Sequence, residues 1–266
     1  MKQLAIVGGG FMGGALAEGL VDSGWKRDSL VIAEVREQRR HFLTEVLRVP
    51  ATADALEAVR DAETVLFAVK PQNMREVLTR VAPAFTPQKL AISIAAGVPI
   101  ATFHELLGDV PVIRTMPNTP AAIGHGMTAL ARGRHAADAH LATALNILST
   151  VGKTIVVNEE QMDSVTAVSG SGPAYVFLLA EALITAAMQQ GLSREHAHML
   201  TYQTFIGAAN LLMHDPAEPA ELRARVTSPN GTTHAAVTHL LEQRWPEVFV
   251  EAVHRAHRRA TELGRG

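Results

Sequence analysis

Three glycines near the start of the chain, Gly8, Gly10 and Gly13, stand in G-x-G-x-x-G spacing within IVGGGFMGGALAEGL. They follow an apolar run and open an amphipathic one, the order in which a strand hands over to a helix. In that setting the first glycine permits a tight turn, the second lets backbone approach a diphosphate, and the third allows close helix–strand packing. The free N–H groups of the helix start, with Phe11 and Met12 in its first turn, then face the anion. A bare match is an ordinary strand-to-helix turn. The full βαβ context makes a dinucleotide site the better reading. The second strand run ends at Glu34, where a carboxylate takes the ribose 2′-hydroxyl of NAD and repels a 2′-phosphate. Arg36, Arg39 and Arg40 follow at once and suit a 2′-phosphate. NADH and NADPH both stay open.

Further chemistry is offered at later strand ends. FAVKPQ places Ala68, Val69 and Lys70 at the C-terminal edge of a sheet, where ligands of such architectures bind, and Pro71 turns the chain outward. Ala95, Ala96 and Gly97 end the next strand, and TMPNTP, residues 115–120, ends the one after. Each alone is a plain turn. Three special ends on one edge point to a cleft. SGSGPAYVF, residues 169–177, reads as a helix N-terminus with exposed N–H groups. It is a poor serine-hydrolase elbow, because Ser169 stands where glycine is needed. VTSPNGTTH, residues 226–234, is a hydroxyl-rich turn running into a helix and holds no acid or lysine.

Histidines are plentiful, yet His196 and His198 lie two apart on an expected helix and cannot face one ligand. His254 and His257 sit in an arginine-rich helix that reads as solvated, and only His234 adjoins a candidate site. No metal site is expected. The last lysine is Lys153. A dehydrogenase that removes a hydroxyl proton commonly places a lysine or histidine base at its substrate. Reduction of a protonated C=N bond needs less, and a hydroxyl near the nitrogen suffices.

The elements that must hold these residues fall into two sets. LAIVG, SLVIAE, ETVLFAV, KLAISIA, VIRTM, GMTALARG and TIVVN are strand-like, with amphipathic stretches such as EQRRHFLTEVL and QNMREVLTRVA between them. That alternation predicts a mostly parallel α/β Rossmann-type sheet covered on both faces. From Glu159 onward the pattern is helical, punctuated by Gly191, Pro216 and Pro246. The expected division is an α/β dinucleotide-binding domain over 1–158 and an all-α domain over 159–266.

Composition is that of an ordinary soluble protein. The chain has 266 residues, 47% of them hydrophobic and 19% charged, enough for two cores. A net charge of -2 gives no electrostatic reason to expect nucleic acid or an anionic membrane as partner. The absence of cysteine excludes disulfides, thiolate catalysis and Fe–S clusters. The start is too short for a signal peptide, and AYVFLLAEALITAAM, broken by Glu181, is read as too short to span a bilayer. The expected location is the cytoplasm.

GGGFMGGAL, AVKPQ, SIAAG, RTMPNTP, SGSGPAY and TSPNGTTH, in this order, resemble pyrroline-5-carboxylate reductase over almost the whole chain. The resemblance implies a Rossmann domain and a helical domain that interlocks with its partner in a homodimer, with dimers commonly assembling into a decamer. It implies NAD(P)H-dependent reduction of Δ1-pyrroline-5-carboxylate to L-proline. By the same resemblance the diphosphate lies on residues 8–13, the adenosine ribose near Glu34 to Arg36, and the nicotinamide side near Val69 to Pro71 and Ala95 to Gly97. Met116, Asn118, Ser171, Thr227 and Ser228 line the substrate side. Thr233 carries the hydroxyl that meets the imine nitrogen, the N–H groups around Gly231 and Thr232 take the carboxylate, and Glu159 matches an acidic position near the pocket. Two positions depart from the pattern. Asn230 replaces a usual glycine, although Asn also tolerates positive φ, and Glu34 replaces a usual neutral residue. A β-hydroxyacid dehydrogenase shares the glycine-rich start, but its helix lysine is missing here. A non-catalytic NAD(P)-sensing module would leave SGSGPAY and SPNGTT without a purpose.

Overall fold

The computed structural model describes residues 2–265. The α/β part runs β1 (Lys2–Val7), α1 (Phe11–Asp22), β2 (Leu30–Ala33), α2 (Glu37–Glu45), β3 (Ala51–Thr52), α3 (Ala55–Arg60) and β4 (Ala62–Phe67). It continues through α4 (Met74–Val81), β5 (Leu90–Ser93), α5 (Ile100–Leu107), β6 (Val112–Met116), β7 (Gly126–Arg132), α6 (Asp138–Leu148) and β8 (Gly152–Val156). The helical part holds α7 (Met162–Val165), α8 (Gly172–Gln189), α9 (Arg194–His214), α10 (Pro219–Arg225), α11 (Thr232–Glu242) and α12 (Trp245–Arg265).

One sheet of eight strands has the order β3-β2-β1-β4-β5-β6-β7-β8. Neighbours are parallel except β6 and β7, which pair antiparallel. Every strand from β1 to β6 therefore points its C-terminal end to the same edge, where the expected ligand loops emerge. Alternation along β1 explains the two cores. Leu4 and Ile6 join Leu16, Leu20 and Ile147 on one face. Ala5 and Val7 join Phe67, Met74, Leu78 and Phe103 on the other. Each such large apolar side chain contributes about 1.5–3 kcal/mol of burial. The elements β3, α3 and α6 stand outside the pattern read from the sequence.

The chain forms two compact units, one of residues up to Ser171 together with Ala256 onward, the other Gly172–Arg255. By compactness the chain divides after Ser171, a little beyond the boundary expected at 158. Met162 is fully buried against Ala129 and Ala131 of β7, with Val165 packed beside it, so the first helical turns belong to the sheet. The last part of α12 returns to the same unit.

In the helical unit the side chain of Ser193 accepts the His196 N–H at 3.2 Å and caps α9. Tyr175 and Trp245 pack on Phe249 with ring centroids 5.5 Å and 5.3 Å away. Only Ala197 and Thr201 are buried in this unit, and Phe177, Leu178 and Val248 are exposed. The bilayer expectation needs correcting. The apolar stretch belongs to a helical run from Glu159 to Gln189, 31 residues, long and apolar enough to cross a membrane by length and composition alone. Just 6% of its most apolar window is buried within the single chain.

Candidate active site

The glycine-rich loop has the geometry its spacing requires. Gly8 takes φ +108°, and a Cβ there would lie 2.6 Å from the carbonyl oxygen of Ala68, so β1 and β4 could not approach. At Gly13 a Cβ would meet the Gly8 oxygen at 2.0 Å. Gly10 caps α1 with no side-chain acceptor, which leaves the first-turn N–H groups at Phe11, Met12 and Gly13 for a ligand. These open donors, beside a cradle that any side chain would fill, fit a dinucleotide diphosphate.

At the adenosine end, Glu34 is 6% exposed and its carboxylate is already engaged. Arg36 donates to it from Nε at 3.0 Å, from Nη2 at 3.1 Å and from its backbone N–H at 2.9 Å. Burial raises the Glu34 pKa, but the hydrogen bonds and charge of Arg36, reinforced by Arg39, outweigh it and hold the carboxyl below its ordinary value. Arg36 in turn has its pKa raised by Glu34. Arg39 donates from Nε to the Gly9 carbonyl at 2.7 Å and stacks on Phe42, its Cζ 4.6 Å from the ring centroid. Arg40 donates to the Glu34 and Val35 carbonyls at 2.9 Å and 2.7 Å. A cavity of about 340 Å³ opens between Gly10, Phe11, Arg36, Arg39 and Phe42. The expected contest between acid and arginines is thus an ion pair.

On the nicotinamide side the Ala68 N–H donates to the Val7 carbonyl at 2.8 Å, Val69 is half-buried, and Lys70 stands exposed before the turn that Pro71 begins. Ala95 is buried, Ala96 half-buried, and Gly97 takes φ +73°. The Thr115 hydroxyl donates to the Ser93 carbonyl at 2.9 Å and fixes this loop to the next strand.

Met116 and Asn118 are brought against the SGSG segment. Asn118 Nδ2 donates to the Ser169 carbonyl at 3.1 Å, and its Oδ1 accepts the Met127 N–H at 2.8 Å. A Cβ on Gly170 would lie 2.5 Å from Met116 Cε. Thr166–Gly170 forms one π-helical turn, closed by the Ser171 N–H on the Thr166 carbonyl at 2.8 Å. Such bulges are frequent at functional sites. Glu159 Oε1 accepts the Ile100 N–H at 2.8 Å and Arg114 Nη1 at 3.2 Å.

The hydroxyl-rich turn lies in the helical unit. Asn230 adopts φ +60°, the left-handed conformation, so asparagine takes the part a glycine would play. Gly231 has φ -80°, and a Cβ there would meet Ser228 Oγ at 2.6 Å and the Ser228 carbonyl oxygen at 3.1 Å, so Ser228 would have to shift. The Gly231 N–H donates to the Ser228 carbonyl at 3.0 Å, which corrects the expectation that it is free for a carboxylate. Thr227 Oγ1 donates to the Arg223 carbonyl at 2.6 Å. Gly231 caps α11 without a side-chain acceptor, so the N–H groups at Thr232 and Thr233 are its open donors. The Thr233 side chain stands half-exposed in that first turn.

Sequence reasoning missed Arg39 as a clamp on the glycine loop, and it missed Arg114. An arginine inside the apolar run VIRTM was the available signal, because a buried charge requires a partner. Among the described residues no three His, Asp or Glu side chains cluster as metal ligands.

The family described as pyrroline-5-carboxylate reductase dimerisation matches residues 159–263, and that described as NADP oxidoreductase coenzyme F420-dependent matches residues 3–97. Pyrroline-5-carboxylate reductase of Pseudomonas aeruginosa is 40% identical over 263 residues, covering 98% of this chain and 96% of that protein. The solved pyrroline-5-carboxylate reductase of Coxiella burnetii superposes with a TM-score of 0.91 at 34% identity, covering 98% of both chains. The Plasmodium falciparum pyrroline carboxylate reductase, solved with NADP bound, gives 0.90 at 28% identity, covering 99% of this chain and 98% of that one.

Proposed function

The chain belongs to the pyrroline-5-carboxylate reductase family, an NAD(P)-dependent oxidoreductase of proline biosynthesis, and from that premise we propose how its own residues carry the reaction. When bound, the reduced dinucleotide supplies the hydride that the imine carbon of Δ1-pyrroline-5-carboxylate accepts. The first-turn N–H groups of α1 would hold its diphosphate, and Val69–Pro71 and Ala95–Gly97 would hold its nicotinamide end.

The substrate carboxylate sits on the N–H groups of Thr232 and Thr233, where the positive end of α11 adds to the attraction. The Thr233 hydroxyl hydrogen-bonds the imine nitrogen. The nitrogen enters protonated from solvent, the C=N π pair moves onto it as the carbon gains hydride, and the product is the secondary amine of L-proline. Thr233 holds that nitrogen in line and needs no lysine or histidine base. Met116, Asn118 and Ser171 are the substrate-side residues of the α/β unit, and Thr227 and Ser228 brace the turn of the helical unit. Glu159 acts as a positioning residue on Arg114 and α5. The observation that carries this reading is the left-handed Asn230 in the turn that leads into α11, whose N-terminus has no side-chain cap.

Oxidation of NADPH or NADH with pyrroline-5-carboxylate, followed by absorbance, tests the activity. Thr233→Ala is expected to lower kcat/KM by about 10- to 1000-fold. Unchanged kinetics would remove Thr233 from the site. The molecule works as a homodimer built on the helical unit, with dimers assembling into a decamer, and it resides in the cytoplasm.

A further inference from the structure

The last turns of α12 return to the α/β unit and close on the loop after β5. A buried arginine organises this corner. Arg114, 8% exposed in the middle of β6, pairs with Glu159 at 3.2 Å and with Asp163 at 3.6 Å. Glu159 holds the Ile100 N–H, the first donor of α5 and the end of the segment that begins at Gly97. Asp163 Oδ2 accepts the Thr261 hydroxyl at 2.9 Å, so α12 is tied into the same network. Two residues on, Leu263 presses on Gly97: a Cβ there would lie 3.2 Å from Leu263 Cβ and 3.3 Å from its carbonyl carbon. The contact also explains the choice of residue, because φ +73° and the close backbone both favour glycine.

Leu263 itself is 54% exposed, whereas the groups behind it are interior. Ala260 is 5% exposed, Ser93 is fully buried, and Arg114 reaches both acids from within the sheet. An arginine buried there without both partners would be costly, so the network sets one arrangement of the loop, α5 and α12. We propose that Thr261 and Leu263, with Asp163 and Arg114 behind them, are positioning residues for dinucleotide binding, holding Ala95–Gly97 in the conformation that receives the nicotinamide end. The family's helical segment thereby contributes to the cofactor site as well as to dimerisation. The inference rests on the assignment of Ala95–Gly97 to the nicotinamide side.

The test uses the full-length protein and NADPH or NADH fluorescence titration, with steady-state kinetics beside it. Thr261→Val and Leu263→Gly, which removes the Cβ that meets Gly97, are each expected to raise the Kd and KM of the dinucleotide about 3- to 10-fold, the loss of roughly one hydrogen bond or contact. The KM for pyrroline-5-carboxylate stays within about 2-fold, and Thr261→Ser restores the dinucleotide values, since it keeps the hydroxyl. Unmoved dinucleotide Kd in both variants, even with a lower Tm, overturns the proposal. An equal rise for both substrates also overturns it, because that is general loosening. Should Thr261→Val fail to fold, Leu263→Gly decides alone. Ala96→Leu separates the premise from the inference. If it leaves dinucleotide affinity unchanged, the loop assignment itself is wrong. If it weakens binding while Thr261→Val and Leu263→Gly do not, only the positioning role falls.

Discussion

At the scale of single residues, the ion pair between Glu34 and Arg36 recasts the question of nucleotide choice. A free carboxylate at the end of β2 would reject a 2′-phosphate, but both Glu34 oxygens accept from the Arg36 fork. The guanidinium keeps donors on its outer edge, and its side chain is 64% exposed. Arg36→Ala strips the neutralising partner and leaves a buried acid facing the ribose. The ratio of kcat/KM for NADPH over NADH is therefore expected to fall by about 10-fold or more in this variant, the range of a charge-assisted bond. A ratio that does not move would show that the 2′-phosphate lies elsewhere. The substrate turn gives a second residue-scale expectation. Asn230→Gly keeps the left-handed backbone and should hold kcat/KM within about 2-fold. Asn230→Val puts a β-branched residue at φ +60°, costs on the order of 1–2 kcal/mol or more locally, and should depress kcat/KM and Tm together.

At the scale of elements, α5 carries a histidine whose environment ties stability to pH. His104 lies in the last turn of α5, its ring 5.1 Å from that of His135, and its Nε2 is buried without a hydrogen-bond partner. Burial first, then the charges of Arg134 and His135, lower its pKa, while the Val110 backbone and Asp109 oppose the shift. The folded state thus binds the proton less readily than the unfolded chain. Stability from this group is present above the unfolded value near 6.5 and is lost as pH falls through the lower folded value. Tm is expected to drop between neutral pH and about pH 5, and His104→Phe should flatten that part of the curve. An unaltered slope in the variant would assign the acid sensitivity to other groups. The elements themselves differ in how far they could be read from residues. β1, β2, β4, β5 and β6 each carry an apolar run that only a sheet buried on both faces accommodates, so their order and edge were legible. β3 has two residues and no period to detect, and α3 is a turn and a half long. The periodicity of α12 shows a helix but not its destination. Its return to the sheet depends on a hydroxyl meeting Asp163, a residue 98 positions away. Likewise the three donors from Arg36 to Glu34 come from residues two apart, where spacing alone leaves attraction and competition indistinguishable.

At the scale of the whole molecule, the two units differ in how they are held together. All three buried apolar clusters belong to the α/β unit. The helical unit buries only Ala197 and Thr201, while Leu178 is 67% exposed and Val248 63%. Helices with so little interior cannot offset their conformational entropy alone. A groove of about 310 Å³ lined by Tyr175, Leu178, Leu179, Trp245 and Phe249 adds to that apolar surface. The match of residues 159–263 to a dimerisation family accounts for it, since an obligate interface resembles a core cut in half. The same apolar run has the length of a membrane span, so the two explanations must be separated by behaviour. If the surface is a dimer interface, the protein purifies without detergent, and light scattering gives an even multiple of 28.5 kDa. Its Tm then rises with protein concentration, because association stabilises only the folded chain. Leu178→Arg places a charge in the interface, a cost of several kcal/mol when unpaired, and should shift the mass toward the single chain with loss of activity. An unchanged mass with full activity in Leu178→Arg would place the interface on other helices. A requirement for detergent would turn the argument toward a membrane.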